Sequence, residues 1–392
     1  MLTRDDFEDL LKIGVALSSV HDLDRLLDMI LFESQRLTNA DGASIYLVQG
    51  EKLVFKSVRS NTFFKKWGES KTRQIFKSVE MPLTKDSIAG YVALTLKPLN
   101  IPDVRKIPPG SEYHYNPATD KKYGYETISL LAIPMLNYEE KIIGVLQLIN
   151  SMKGGKAIPF TEEHMRITSS LASQAAVAIQ NAMLAEELKN AHYETIIRLS
   201  AAAEYRDKET ANHIKRVSYY SRLIAEKIGL SKEEVEAIFW SAPMHDIGKL
   251  GIPDAILLKP GKLTPEERKI MEQHTIIGAK ILEGSKAEIL VKSSIIALTH
   301  HEKYDGSGYP RGLKAENIPI EGRIVAIADV YDALSSKRPY KEAFPEERVL
   351  SIMRESRGTH FDPGLLDVFL RNIDDVREIK KNYPDTEGEI WK

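Results

Sequence analysis

Between Glu209 and Asp329 the chain places Glu209, His213, His245, Asp246, His274, His300, His301 and Asp329, each on a segment that reads as helix or helix end, and five of its ten histidines fall there. A fold that uses these groups together must bring several helices to one point. Imidazoles mixed with carboxylates, in a chain without cysteine, suit manganese, iron or zinc rather than an all-sulfur structural centre. A single Glu, Asp or His of this kind is more often a solvated surface group. Asp329, however, follows the apolar run Ile324 to Ala328, where an unpaired carboxylate would be costly. The set as a whole predicts a multinuclear metal site that performs hydrolysis.

The chain has 392 residues, 43% hydrophobic and 28% charged, enough for two globular units. A formal net charge of -2 means that a polyanion must be held by a local basic cluster and by metal, so DNA is not an expected partner. The lack of cysteine removes disulfides and thiolate ligands and suits a reducing compartment, which makes the cytoplasm the expected location. Met1 to Leu11 is acidic and polar, and no stretch of about 18 unbroken apolar residues occurs, so neither secretion nor membrane spanning is expected.

The first half alternates element types. Asp24 to Leu37 carries Leu26, Leu27, Ile30 and Leu31 at helical spacing. Ala43 to Val48 and Lys52 to Phe55 read as strands joined at Gln49-Gly50, and a helix is predicted to start near Asp86. A polar loop from Ile101 to Glu126 precedes two apolar strands, Ser129 to Leu136 and Lys141 to Ile149, which predicts a mixed sheet flanked by helices. This order, and above all Leu130-Leu-Ala-Ile-Pro-Met-Leu136 followed by Ile142-Ile-Gly-Val-Leu-Gln-Leu-Ile-Asn150, resembles the GAF family of small-molecule sensor domains over roughly Leu17 to Leu184.

From Thr161 to Ala203 there is no Pro or Gly, which predicts one helix of about 60 Å. Leu171, Ala178, Ala185, His192 and Leu199 recur every seven residues, with Leu188, Thr195 and Ala202 at the complementary offset, so the stretch predicts a weak seam for a parallel homodimer. Two ordinary helices with a break are the plain alternative. Beyond it helices dominate. Lys232 to Met244 delivers His245-Asp246, Thr264-Pro-Glu-Glu267 is a capping box opening a helix that carries His274, Glu288 to Thr299 ends at His300-His301, and Arg323 to Leu334 carries Asp329.

Glu209 and His213 stand four apart on one helix face. His245-Asp246, followed by Ile247-Gly248-Lys249 and flanked by His213 and Asp329, resembles the signature of the HD superfamily of metal-dependent phosphohydrolases. His300-His-Glu-Lys-Tyr-Asp-Gly-Ser-Gly-Tyr-Pro310 is similar to the extended motif of its HD-GYP subfamily, whose members hydrolyse cyclic di-GMP. The resemblance runs over roughly Ile197 to Ile373. It implies two divalent metals held by His213, His245, Asp246, His274, His300, His301 and Asp329, with Glu209 adding a ligand for a third; iron is expected first and manganese second. Asp246 is the expected bridge, and His245, Asp246 and Lys249 the expected catalytic set. A bridging Asp suits metals about 3.5–4 Å apart, between which a metal-activated hydroxide attacks phosphorus. Lys249, Arg338 and Lys341 are the expected phosphate contacts and Tyr309 a further substrate contact. For each of these a solvated surface role is the plain alternative.

The expected architecture is therefore multidomain: an α+β GAF-like sensor domain (1–160), a helical linker able to form a dimer coiled coil (161–200), and an all-α HD-GYP domain (201–392). The expected function is hydrolysis of cyclic di-GMP to pGpG, with the further step to GMP left open, regulated by an unidentified small ligand of the GAF domain. Asn150, Lys153 and Phe160 faintly resemble a motif of cyclic-nucleotide-binding GAF domains, but His164 stands where that pattern has an acid. Two other readings stay open: a module that binds cyclic di-GMP with little turnover, and an HD phosphohydrolase for another cyclic dinucleotide.

Overall fold

A computed structural model describes residues 4–20, 22–76, 79–207, 211–336 and 343–384. The chain divides into two units, Met1–Lys189 and Asn190–Lys392.

Seven strands form the sheet of the first unit: β1 (Ala40–Gln49), β2 (Lys52–Ser60), β3 (Glu80–Pro82), β4 (Leu99–Ile101), β5 (Leu130–Leu136), β6 (Ile142–Lys153) and β7 (Lys156–Ile158). Their order is β3-β2-β1-β6-β5-β4, with β7 paired to β6. The predicted mixed sheet is not found: all described pairings are antiparallel. Segments that would have to cross over to make parallel pairs instead deliver the short edge strands β3 and β4.

Side chains alternate across this sheet as its period of two requires. Ile45, Leu47, Leu131, Ile133, Leu146 and Leu148 face the helix Leu23–Thr38 and the first turns of the helix Glu162–Glu204. Tyr46, Leu130, Ala132 and Val145 pack with the helix Ile88–Thr95 on the other side. Each fully buried Leu or Ile contributes roughly 1.5–3 kcal/mol. Asp22 fixes the start of Leu23–Thr38 by accepting from the Arg25 amide at 3.0 Å.

The predicted long helix is continuous over Glu162–Glu204, 43 residues. Its seven-residue repeat does not mark a seam from end to end, because Leu171 and Ala178 are buried in the core of the first unit together with Ile167, Ala175 and Ile179. A face that packs inward at a period of 3.6 and a seam at 3.5 cannot be told apart over two repeats. Leu184, Leu188 and Leu199 are exposed.

The second unit has no strand among the described residues. Its core gathers Val217 and Ile224 from the helix Ala211–Lys227, Val235 and Ile238 from Lys232–Ser241, Ile296 from Glu288–Thr299, Ile324 and Ile327 from Ile320–Ser335, and Leu366 and Phe369 from Pro363–Arg371. Lys232–Ser241 stops short of the predicted Met244 and continues as a 3-10 turn, Ala242–Met244, which contains Pro243. The capping box at Thr264 and Glu267 forms, but its helix is only Pro265–Met271, and His274 opens a second helix, His274–Leu282. No described helix is long and apolar enough to cross a membrane.

Candidate metal centre

His213 lies in the first turn of Ala211–Lys227, His245 follows the 3-10 turn, and Asp246 precedes the 3-10 segment Ile247–Gly251. His300 and His301 follow the last turn of Glu288–Thr299, and Asp329 projects from the middle of Ile320–Ser335. These side chains converge. Asp246, His274, His300 and His301 offer ligand atoms that all lie within 4.8 Å of one another, as do those of His213, His245 and Asp329. Glu209, Arg338 and Lys341 lie outside the described residues.

Asp246 joins the two groups. Its Oδ1 is 3.2 Å from His274 Nε2 and 3.4 Å from His300 Nε2, while its Oδ2 is 3.5 Å from His245 Nε2 and 2.8 Å from Lys249 Nζ. Asp329 Oδ1 completes the second group, 3.8 Å from His213 Nε2 and 4.0 Å from His245 Nε2.

The rings are aimed from behind. Nδ1 of His245 donates to the Ala242 carbonyl at 3.0 Å, Nδ1 of His274 to Met271 at 2.7 Å, and Nδ1 of His300 to Ile296 at 3.1 Å. A carbonyl can only accept, so the proton sits on Nδ1 and Nε2 is turned inward. Nε2 of His245, His274 and His300, and Oδ1 of Asp246, are buried without a hydrogen-bond partner. Burying so many polar atoms in this state costs several kcal/mol unless something else satisfies them. Divalent cations fit that requirement, since every inward atom is a donor of the type that iron, manganese and zinc accept.

Burial works against the charge on Asp246, but the Lys249 ammonium foremost overrides it and holds the carboxyl well below the usual range. Burial lowers His245 and, with His300 beside it, lowers His301 strongly, so both rings stay neutral. On His300 burial also opposes charge, but the adjacent Asp246 overrides it and the imidazole is raised. A cation bound beside Asp246 would replace that proton.

Several residues that build this site escape a reading of the sequence. Asp332, fully buried, accepts from Nδ1 of His213 at 2.8 Å and from Arg216 Nε at 2.6 Å. Its position one turn after Asp329, on the same helix face, is the signal that could have found it. Gly248 lets the Asp246 segment lie against the next helix: a Cβ there would be 1.8 Å from the His274 carbonyl oxygen. Glu204, the last residue of Glu162–Glu204, lies with His245 and Asp246 in a third group of converging ligand atoms. Glu302 is 2% exposed and binds the loop that follows it.

Lys249 is buried, with Nζ 2.8 Å from Asp246 and 3.1 Å from Glu204. The Tyr309 ring lies 4.9 Å from that of His301 and 6.3 Å from that of His274. Burial raises its phenol, which stays protonated.

Among the described residues the first unit has no comparable ligand cluster. Asn150 has a structural role: its Oδ1 accepts from the Ile128 amide at 2.7 Å and its Nδ2 donates to the Glu126 carbonyl at 2.7 Å. Phe160 is in the core, and His164 pairs with Thr161 at the start of the long helix.

A model of the HD domain family matches residues 192–365, and one of the GAF domain family matches residues 22–179. The chain carries a GAF domain and an HD domain. Among curated relatives, the cyclic di-GMP phosphodiesterase response regulator RpfG of Xanthomonas campestris pv. campestris is 46% identical over 217 residues, covering 55% of this chain and 57% of that protein. A cyclic di-GMP phosphodiesterase of Thermotoga maritima is 48% identical over 193 residues, 49% of this chain and 52% of that protein. The 3'3'-cGAMP-specific phosphodiesterase 2 of Vibrio cholerae is 41% identical over 209 residues, 53% of this chain and 40% of that protein. The chain thus spans about half the length of the curated relatives it matches.

Proposed function

We propose that the HD-GYP domain hydrolyses cyclic di-GMP to pGpG and onward to GMP, with the GAF domain regulating it through an unidentified small ligand. The observation that carries this reading is Asp246, whose Oδ1 faces His274 and His300 while its Oδ2 faces His245. Two divalent cations, iron first and manganese second, held by His213, His245, Asp246, His274, His300, His301 and Asp329, would supply Lewis acidity and a water activated near neutral pH. Glu209 is the proposed ligand for a third.

The remaining residues serve the substrate. Tyr309, protonated and beside His301, donates a hydrogen bond to a phosphate oxygen or stacks on guanine. Lys249, Arg338 and Lys341 hold the phosphates. The exposed Leu184, Leu188 and Leu199 of the long helix support a homodimer, and the absence of cysteine fits the cytoplasm.

A relative named for cGAMP, 41% identical over 209 residues, favours a second reading in which the substrate is the mixed dinucleotide. The test combines elemental analysis of the purified protein with chromatography of products formed from cyclic di-GMP and from 3'3'-cGAMP. Appearance of pGpG, with two or three metals per chain, is the expected result. Faster turnover of cGAMP reassigns the substrate, and tight binding without product makes the domain a cyclic di-GMP sensor.

A further inference from the structure

Lys249 is gripped at both ends by the end of the long helix. Its ammonium lies between Glu204 Oε2, at 3.1 Å, and Asp246 Oδ2, at 2.8 Å. Glu204 is the last residue of Glu162–Glu204 and is 1% exposed. Just beyond it, Arg206 Nη1 donates to the carbonyls of Lys249 and Leu250 at 3.1 and 2.8 Å, and Nη2 donates to Ile252 at 3.0 Å and pairs with Asp254 at 2.5 Å. Side chain and backbone of one lysine, three residues after the shared carboxylate, are thereby fixed to this helix end.

The contested atom is Asp246 Oδ2. It is the oxygen that faces His245, and a cation on that side would need it; the ammonium already lies against it. Glu204 and Asp246, both buried carboxylates, flank this positive charge. An ammonium divided between two acids screens each less than one devoted to a single acid. Without the Glu204 charge, the Lys249 ammonium would bear more strongly on Asp246 and compete harder for it.

We propose that Glu204 is a positioning residue that draws the Lys249 ammonium off Asp246, and so sets how tightly the His245 side of the centre holds its cation. The proposal rests on the metal-site reading given above but not on the identity of the substrate.

The test is calorimetric titration of the metal-free full-length protein with Mn²⁺, with no nucleotide present. Glu204→Gln should weaken binding at one site roughly ten- to a hundredfold, and adding Lys249→Met in the same chain should restore it, since the competing ammonium is gone. A purely structural salt bridge predicts the opposite for the double variant, which would then be no better than the single one. Unchanged affinity in Glu204→Gln, or a loss that Lys249→Met does not reverse, overturns the proposal and leaves the metal site standing. Wild-type protein that takes up no cation overturns both.

Discussion

Asp332 Oδ2 accepts the Nδ1 proton of His213 at 2.8 Å while Arg216 holds the same carboxylate through Nε at 2.6 Å and Nη2 at 2.8 Å. Burial opposes charge on Asp332, but these two partners override it and keep it ionised, so it can only accept. His213 must therefore carry its proton on Nδ1 and present Nε2 to Asp329. Asp332→Asn can turn an amide N–H toward Nδ1, which moves the ring proton to Nε2 and blocks the ligand atom. The expected loss in cation affinity is roughly ten- to a hundredfold, read by titrating metal-free protein. Equal affinity in variant and wild type would show that His213 needs no such orientation.

Gly248 is where the HD dyad meets the next ligand. An added Cβ would also fall 2.4 Å from the Gly278 amide, so Gly248→Ala forces the Ile247–Gly251 segment away from the helix that begins at His274. Overpacking of this kind costs about 1–3 kcal/mol. The distance from Asp246 to His274 must grow as well. Elemental analysis should show cation content falling by about one ion per chain while the GAF unit melts as before. Full metal content would mean that the clash is relieved elsewhere.

How far the sequence carries toward this site depends on what each residue answers to. The ligands were legible because His245-Asp246 and His300-His301 stand at helix ends in a recognisable run, and Asp329 because it interrupts an apolar stretch. Asp332 and Glu204 were not, since an acid near the end of a helix has many ordinary uses and its partner lies 119 residues away in one case and 45 in the other. In the GAF unit the strands of the central hairpins were readable as apolar runs joined by short polar turns. The antiparallel edge strands β3 and β4, three residues each, carry too little pattern to orient. The seven-residue repeat misled at Leu171 and Ala178 because core packing and a dimer seam share nearly the same period.

Glu302 fixes the loop that brings Tyr309 to the centre. Its Oε1 accepts from the Arg311 amide at 2.8 Å and its Oε2 from the Leu313 amide at 2.9 Å, while the Tyr309 amide donates to the His301 carbonyl at 3.2 Å. A Cβ on Gly308 would lie 2.2 Å from the Lys303 amide nitrogen, so the loop folds tightly over the residues after His301. Glu302→Gln replaces one acceptor by an N–H facing another N–H, with an expected loss of about 1.5–3 kcal/mol in the hold on the loop. With Tyr309 in its proposed role as a substrate contact, KM should rise about tenfold with a smaller change in kcat. A loss of thermal stability with KM unchanged would confine Glu302 to the fold.

His360 gives the HD unit an acid-sensitive stability. Burial, and secondarily the Lys303 charge, lowers its pKa from the ordinary 6.5 to about 4, against the weaker pull of Asp329 and Asp305. Because the folded value is depressed, the native ring stays neutral while the unfolded chain takes up a proton below about pH 6.5. Its contribution is therefore fully present above that pH and is lost as pH falls to about 4, reaching roughly 3 kcal/mol. His245 and His301, also lowered, add to the loss in the same direction. In metal-free protein, chemical denaturation of the HD unit between pH 7 and pH 4 should show stability falling with acid, and His360→Asn should make that fall shallower. The same slope in both proteins would mean that the ring is already protonated, or solvated, in the fold.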